Sequence, residues 1–375
     1  MPTAPILTDG LVTLRAHRPD DAQGSWEQCQ DPLSQQWTTV PVPYSMDDAH
    51  TFVGEIMPKG WTEDTEWGFV VEVEGRYAGT VSLRPEGDRR AELAYGSHPW
   101  VRGTGHIERA LRMLLEWGFA EQELETVIWW ANKGNWSSRK VAWRLGFTFE
   151  GTVRRWLPQR GERRDAWVAT LLRDAPREPG TPWLACPVIE GDGIRLRPWR
   201  PEDAPRIVEA CDNERTSYWL GKMPKPYTLS DAEAYLQDRI EVLATGSAVG
   251  WAVADAVTDD AIGSVALFDL MAGRQAELGY WTHPSVRGRG VMTGAVRLAL
   301  SHGFGALGLR RVAVFAAIDN VASRHVIESC GFRLIGIERQ AVEIRTGLAD
   351  HAAYDLLAEE FARRSQELED LTPRT

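Results

Sequence analysis

The chain has 375 residues, a formal net charge of −11 at pH 7 and a sequence pI of about 5.3. Its 43% hydrophobic and 25% charged residues are typical of a globular protein, and the length favours two domains of roughly 170 residues each. The acidic balance argues against general binding of nucleic acid or of anionic membranes, so neither is expected as a partner.

The four cysteines are scattered, without the Cys-x-x-Cys spacing of a redox or zinc site. No other spacing of His, Cys and carboxylate residues suggests a metal. No apolar run is long enough to span a bilayer, and the N terminus lacks the basic and apolar regions of a signal peptide. We therefore expect a cytoplasmic protein with reduced thiols and no metal.

The first half begins with an alternating stretch, residues 11–16, that predicts a strand. Residues 18–22, Arg-Pro-Asp-Asp-Ala, read as a helix start with Asp20 as a possible cap. A helix, a Pro-rich loop and a second helix are expected over residues 26–57, followed by a hairpin of residues 66–73 and 78–83.

A strand-like segment, a Gly-rich turn and an amphipathic helix follow over residues 91–118. The helix places apolar residues on one face, namely Ile107, Ala110, Leu111, Leu114, Leu115 and Gly118. Residues 127–130 form a continuous apolar run that is typical of a buried strand. Residues 165–172 predict the closing strand of the first half.

The second half repeats the first at an offset that grows from 182 to 185 residues. Ten of the fifteen residues in 91–105 are identical to those in 276–290. The chain is therefore expected to hold one fold twice. The predicted organisation is a first domain over 1–175, a Pro-rich linker over 176–192, a second domain over 193–362 and a polar tail over 363–375.

The Gly-rich turn of the second half reads Arg287-Gly288-Arg289-Gly290 and opens a helix. The first-turn N–H groups of a helix have no partner within the helix, and the helix dipole adds partial positive charge there. Glycines remove side chains that would block close approach. The turn therefore predicts a site for a phosphate or pyrophosphate, with the two arginines adding charge at its rim.

This strand, turn and helix resemble motif A of the GNAT superfamily of acyl-CoA-dependent N-acyltransferases, in which the turn holds the CoA pyrophosphate. Downstream, Asn320-Val321-Ala322-Ser323 and Gly331-Phe332 resemble motif B in the branch that acetylates the N termini of ribosomal proteins. The first half repeats both motifs. The resemblance implies a mixed α/β (α+β) fold: two tandem GNAT-like domains, each a mostly antiparallel sheet with a central splayed parallel pair, flanked by helices.

The resemblance implies a set of CoA-binding residues in the second half: Thr282, His283, Arg287, Gly288, Arg289, Gly290, Val291, Met292, Thr293, Asn320 and Ser323. The corresponding weaker candidate site in the first half comprises Arg102, Gly103, Thr104, Gly105, Asn135 and Ser138. The first half carries Glu108 where the second carries Thr293, and a carboxylate near a pyrophosphate is repelled. The second half is therefore expected to hold the better CoA site and the first to be degenerate.

Three residues of the second half are candidates for the chemistry. Glu277, on the strand entering the turn, is the first candidate for the base that deprotonates the amine, and Glu343 is the second. Ser323 matches the motif B serine, which implies a hydrogen bond to the leaving thiolate. Each has a plain structural alternative: Glu277 as a cross-sheet partner, Glu343 as a solvated charge and Ser323 as a helix-capping residue.

Twelve of the seventeen tryptophans lie in the first half, and a group of them surrounds the motif B segment, namely Trp129, Trp130, Trp136 and Trp143. They indicate either a stacking site for an aromatic or cationic ligand or a bulky core that fills an unused cleft.

The predicted function is transfer of an acyl group, with acetyl-CoA as the expected co-substrate, to a primary amine of a small molecule or of a protein N terminus. A succinyl-CoA-dependent transferase and a non-catalytic CoA-binding or ligand-binding module stay open as alternatives. The protein is expected to be a monomer with an internal pseudo-dimer, or a homodimer.

Overall fold

The computed structural model describes residues 4–191 and 193–371. The chain divides into two compact units, Met1–Gly180 and Thr181–Thr375. Each unit contains one eight-stranded sheet flanked by helices, and its own hydrophobic core. None of the helices in the described residues is both long enough and apolar enough to cross a membrane.

The first unit contains eight strands and six helices in this order: β1 (Leu7–Thr8), β2 (Val12–Arg15), α1 (Ala22–Gln30), α2 (Pro32–Trp37), α3 (Met46–Thr51), α4 (Met57–Glu63), β3 (Trp67–Val73), β4 (Arg76–Gly87), β5 (Arg90–Ser97), α5 (His106–Ala120), β6 (Thr126–Asn132), α6 (Trp136–Arg144), β7 (Thr148–Gln159) and β8 (Glu162–Leu172). A π-helical turn, Phe52–Ile56, joins α3 to α4.

The second unit repeats this order, with one long helix where the first unit has α3 and α4: β9 (Ile189–Gly191), β10 (Ile194–Arg197), α7 (Ala204–Cys211), α8 (Glu214–Trp219), α9 (Leu229–Thr245), β11 (Val249–Asp255), β12 (Ala261–Met271), β13 (Gln275–Thr282), α10 (Val291–Phe304), β14 (Arg311–Ala317), α11 (Val321–Ser329), β15 (Arg333–Ile344), β16 (Gly347–Leu357) and the additional α12 (Ala358–Leu371).

The two sheets have the same topology. The strand order is β1-β2-β3-β4-β5-β6-β8-β7 in the first unit and β9-β10-β11-β12-β13-β14-β16-β15 in the second. All neighbours are antiparallel except β5 with β6 and β13 with β14. The parallel pairing of β13 and β14 ends at Leu278 opposite Val314, although both strands continue. The predicted fold, with its splayed parallel pair, is confirmed.

A buried ion pair fixes the start of each unit. The Arg15 guanidinium donates to both carboxylate oxygens of Asp21 at 2.8 Å, and Arg197 donates in the same way to Asp203. The Asp21 carboxylate also accepts from the Arg18 N–H. Asp21, and not the predicted Asp20, therefore caps the start of the first helical segment, because the Asp21 carboxylate is the one directed inward to Arg15 and to the Arg18 N–H.

The segment predicted as a linker has defined structure at its end. Ile189–Gly191 forms β9 and pairs with β10. Just before it, the Trp251 indole N–H donates to the Pro187 carbonyl at 2.9 Å. The predicted tail begins within α12, and residues 372–375 lie outside the described residues.

In each unit the last hairpin is tied to the second helix. Gln159 and Arg160, at the tip of β7–β8, donate to the carbonyls of Gln36 and Gln35 in α2. Arg345, at the tip of β15–β16, donates to the Ser217 carbonyl of α8 at 3.2 Å. The tip of the last hairpin therefore contacts this helix in both units.

Candidate functional site: the splayed strands and the glycine turn

The glycine turn of the second unit has the backbone that its sequence requires. Gly288 and Gly290 have φ angles of 72° and 76°, in the left-handed region that glycine adopts without strain. A Cβ at either position would meet no atom within 4 Å, so the turn presents an open backbone surface. Gly290 immediately precedes the 14-residue helix α10.

The first turn of α10 offers N–H groups rather than side chains. Met292 is 4% exposed and packs in the core, so only its peptide group faces the turn. Val291 and Thr293 are partly exposed. Arg289 is exposed and makes no hydrogen bond or ion pair within residues 193–371. Free N–H groups, an exposed and unpaired cation and an open backbone together fit a pyrophosphate.

Two other residues of the predicted CoA set are held by the protein itself. The Arg287 guanidinium donates to the Asn213 side chain at 3.1 Å and to the Thr216 hydroxyl at 2.6 Å, and so ties the turn to α8. The His283 ring is 5% exposed and is bonded to Glu209 at 3.1 Å. Their side chains therefore hold the turn in position in this structure.

The motif B segment begins α11 and reaches across to β13. The Asn320 side chain accepts from the Ser323 N–H at 3.2 Å and caps the helix. The Tyr280 hydroxyl lies 2.9 Å from the Ser323 hydroxyl and donates to the Ser323 carbonyl at 3.0 Å. Burial raises the pKa of Tyr280. Ser323 thus lies beside β13, beyond the point where β13 and β14 separate. Thr282 is the last residue of β13, two positions after Tyr280.

Tyr280 is the functional candidate that the sequence analysis missed. The signal was present, because the Ala-Glu-Leu-x-Tyr pattern occurs in both halves and places a tyrosine at 95 and 280. A tyrosine at an inward-facing strand position is ordinarily read as core. The contact of Tyr280 with Ser323 of α11 is what indicates a functional role for this tyrosine.

Glu277 lies on β13 just before the strands separate, opposite Phe268 on β12 and Ala313 on β14. Its carboxylate has no hydrogen bond or ion pair with any other described residue. Burial, with a smaller contribution from the charge of Asp269, raises the pKa of Glu277 to about 7. A carboxyl group with this pKa exchanges a proton readily near neutral pH.

Glu343 is placed elsewhere. It is exposed on β15, opposite Leu348 of β16 in the distal part of the hairpin. Two strands, β16 and β14, separate β15 from β13. The structure therefore does not bring Glu343 together with Glu277, and it matches the solvated-charge alternative for Glu343.

The first unit has the same turn with different surroundings. Gly103 and Gly105 have φ angles of 75° and 85°. The Thr104 hydroxyl donates to the Val101 carbonyl at 2.6 Å, and Arg102 pairs with Asp31 at 2.7 Å. This turn lacks a counterpart of the unpaired Arg289, because threonine occupies that position.

Glu108, expected to repel a pyrophosphate, is balanced by neighbouring cations. It pairs with Arg112 at 2.9 Å and with Arg144 at 3.7 Å. The repulsion is therefore weaker than the sequence suggested, and the turns differ further in having Thr104 in the first unit where Arg289 stands in the second.

The splayed strands of the first unit also carry a tyrosine and a serine. The Tyr95 hydroxyl lies 2.7 Å from that of Ser138, which follows the capping residue Asn135. Burial raises the pKa of Tyr95 to about 12. Here the Trp129 indole N–H also donates to the Ser138 hydroxyl, at 3.1 Å. The serine is therefore engaged by two aromatic side chains instead of one.

The counterpart of Glu277 in the first unit is not isolated. Glu92 lies opposite Arg84, and the two side chains form an ion pair at 3.7 Å. Burial raises the pKa of Glu92, and the charge of Arg84 opposes that rise. The equivalent of Arg84 in the second unit is Phe268, which supplies no such charge.

The tryptophans of the first unit divide between the two faces of its sheet. Trp129 is 1% exposed and belongs to the core, and Trp136 packs on Trp167 with ring centroids 4.5 Å apart. Trp130 lies on the other face and stacks with Trp156. Trp129 and Trp136 therefore pack in or against the core. The stacked rings of Trp130 and Trp156 are a candidate ligand-binding surface.

Within the described residues, no group of three or more His, Cys, Asp or Glu side chains is arranged to hold a metal ion. The candidate site in each unit consists of the glycine turn, the tyrosine–serine contact and the strand glutamate.

Comparison with known proteins identifies both halves. A model described as "Acetyltransferase (GNAT) domain" matches residues 12–148 and again residues 194–333. The chain is 32% identical over 183 residues to a putative ribosomal N-acetyltransferase, YdaF, of Bacillus subtilis. It is 28% identical over 175 residues to a probable N-acetyltransferase, YjcK, of the same organism. The alignments cover 97% of each relative and 48% and 45% of this chain.

Among solved structures, a GCN5-related N-acetyltransferase from Brucella melitensis is 26% identical with a TM-score of 0.44, over 51% of this chain and 88% of that one. RimJ of Mycobacterium smegmatis in complex with CoA-disulfide is 23% identical with a TM-score of 0.43, over 47% and 89%. Each of these matches covers about half of this chain.

Proposed function

The chain belongs to the GNAT acetyltransferase family in both of its halves and is an acyl-CoA-dependent N-acetyltransferase; from this premise we propose that its second unit is the catalytic one. We further propose that this unit transfers an acetyl group from acetyl-CoA to the amino terminus of a protein. The observation that carries the proposal is the unpaired Glu277, with a pKa of about 7, beside the splayed strands.

Three groups of the second unit have distinct tasks in this proposal. The turn at Gly288 and Gly290, with Arg289, binds the pyrophosphate of the co-substrate. Bound acetyl-CoA supplies a thioester that a neutral amine attacks. The N–H groups of β13 beyond Leu278 have no ladder partner on the β14 side within residues 193–371, so one of them is suited to donate to the thioester carbonyl oxygen.

The protons are accounted for by two side chains. The Glu277 carboxylate accepts a proton from the acceptor ammonium, directly or through water, so that the amine lone pair is free to form the amide bond. The C–S bond breaks, and the leaving thiolate takes, through the Ser323 hydroxyl, the second proton that the amine nitrogen loses as the amide forms. Tyr280, 2.9 Å from Ser323, holds that hydroxyl in place for the transfer.

The first unit supports this division by contrast. Its glutamate, Glu92, is paired with Arg84, and a cation at that distance opposes proton uptake by the carboxylate. Its turn has Thr104 in place of Arg289. Both differences favour the second unit for catalysis.

The acceptor is proposed from a relative. YdaF is named a putative ribosomal N-acetyltransferase, and this name favours a protein amine over a small-molecule amine. The same relative favours acetyl over succinyl as the transferred group, because it is named an acetyltransferase.

The test uses the full chain with acetyl-CoA and two peptides of one sequence, one with a free N terminus and a blocked lysine, the other with these reversed. Mass spectrometry is expected to find acetylation of the first peptide only. Acetylation of the lysine alone would contradict the proposed acceptor. Faster transfer from succinyl-CoA than from acetyl-CoA would contradict the proposed donor.

A further inference from the structure

The tip of the β7–β8 hairpin carries concentrated positive charge. Residues 154–164 hold five arginines against one glutamate, in a chain of net charge −11. We call this segment the arginine tip. All five arginines are exposed: Arg154, Arg155, Arg160, Arg163 and Arg164. The tip is therefore a local cationic surface on an acidic protein.

An exposed aromatic ring lies within the same segment. Trp156 is 50% exposed, and its indole stacks on Trp130 with centroids 5.5 Å apart and planes at 26°. Trp130 supports one face of this indole from the sheet. The outer part of the ring is left as a platform for a further planar group.

The second unit shows that the fold does not need this charge. Its hairpin has the same bulge: Arg155 and Gln340 have φ angles of 49° and 51°, and their N–H groups donate to Asp165 at 2.9 Å and Asp350 at 3.1 Å. The positions of Arg154, Arg155, Trp156, Arg163 and Arg164 there hold Arg339, Gln340, Ala341, Leu348 and Ala349. An aspartate, and not the arginines, thus holds the bulge.

The charges of the arginine tip are largely available. Arg154 and Arg155 make no side-chain hydrogen bond or ion pair with other residues in the described part of the first unit. Arg164 pairs with Glu162 at 2.8 Å on the surface, where an ion pair contributes little. Arg163 donates to the Trp156 carbonyl at 2.9 Å and keeps its charge.

We propose that the arginine tip and Trp156 form a docking surface for a single-stranded nucleic acid. Such a strand carries both phosphates and planar bases, and the tip places guanidinium groups beside a supported indole. An acidic peptide would satisfy the arginines but would leave the indole unused. The expectation of no nucleic-acid partner rested on whole-chain charge, which does not describe a local surface of this kind.

The experiment measures binding of a fluorescein-labelled 12-nucleotide uridine homopolymer to the full chain by fluorescence anisotropy at several salt concentrations. Quenching of tryptophan fluorescence reports stacking. The Arg154→Ala, Arg155→Ala double variant is expected to weaken binding at least tenfold and to flatten the salt dependence, since it removes phosphate contacts. Trp156→Ala is expected to weaken it about 5- to 150-fold, the range for one stacked base, and Trp156→Phe to restore most of it.

The matched control changes the same positions of the other hairpin, Arg339→Ala with Gln340→Ala, and is expected to leave the affinity within twofold. All substituted side chains are exposed, and thermal unfolding of each variant verifies its fold. Polyglutamate of equal length that competes as well as the oligonucleotide would overturn the proposal in favour of an acidic protein partner. Equal losses from both hairpin variants, or binding insensitive to Trp156→Ala, would overturn it as well.

Discussion

At the scale of single residues, the two units differ most in what surrounds one glutamate. Glu92 and Glu277 occupy equivalent strand positions, yet Arg84 faces the first and Phe268 the second. Removing the cation and keeping the burial moves the pKa of the carboxyl group toward neutrality. A single cross-strand neighbour thus separates a structural carboxylate from a candidate base.

Glu277→Gln is expected to lower kcat about 10²- to 10⁴-fold, the usual contribution of a general base. The pKa of Glu277 is raised to about 7, so its charged, basic form predominates only above that pH. We therefore expect the kcat of the unmodified protein to rise with pH through about 7 and then level off. The remaining activity of the variant should lack this step, and Glu92→Gln should retain both rate and profile. A step that persists in Glu277→Gln would assign the base elsewhere.

Tyr280→Phe is expected to lower kcat about 5- to 10-fold with little change in KM for acetyl-CoA. The substitution removes one hydrogen bond to Ser323, worth about 1 kcal/mol, and keeps the ring in the core. Steady-state kinetics with acetyl-CoA and a peptide acceptor measure both constants. Tyr95→Phe is the matched control, and an equal effect there would mean that both units react.

At the scale of elements, the glycine turn and the helix after it, α10, together form the candidate anion-binding site. The turn supplies left-handed backbone at Gly288 and Gly290, and α10 supplies unpaired N–H groups. Arg287 fastens the turn to α8 through Asn213 and Thr216. The turn is therefore held in place before any ligand arrives, which reduces the ordering cost of binding.

Gly288→Glu is expected to abolish transfer, because it introduces a carboxylate at the proposed pyrophosphate site and strains the backbone at a φ of 72°. Gly103→Glu carries the same strain at a φ of 75° and is expected to leave most of the transfer intact. Activity assays, with thermal unfolding to compare the two strains, measure the difference. Equal losses of activity from the two variants would contradict a single catalytic unit.

At the scale of the whole molecule, two copies of one fold have diverged in chemistry while keeping their topology. The strand orders are the same, and each unit buries its own core. The first unit has Thr104 where the second has Arg289, and it carries the arginine tip, which the second lacks. In the proposed division of tasks, one copy carries the reaction and the other offers a binding surface.

Calorimetric titration of the full chain with acetyl-CoA is expected to give one strong site per chain. The reason is that Arg289 is available in the second turn, whereas Thr104 replaces it in the first. The balanced charge of Glu108 permits weaker occupancy of the first turn at higher concentration. Two sites of equal affinity would contradict this ranking of the turns, and Gly288→Glu identifies which turn binds.

Much of the fold was readable from the sequence because its determinants are local or repeated. Hydrophobic periodicity predicts α5, and the fifteen-residue match exposes the duplication. Two glycines directly before a helix predict the turn, since few other residues adopt the left-handed backbone that it requires. The splayed parallel pair was predicted from the resemblance to the family's motifs, because hydrophobic periodicity alone does not indicate it.

The tertiary structure decided what depends on contacts between distant segments. It placed Glu343 on the distal hairpin, directed Arg287 and His283 into the protein, and brought Tyr280 to Ser323, 43 residues away. It also paired Glu92 with Arg84 and left Glu277 unpaired. Side-chain partners and pKa shifts arise from burial and from charges that folding brings together. The spacing of residues along the sequence is therefore enough to recognise the motif, but the partners and pKa values of its side chains are decided by the folded chain.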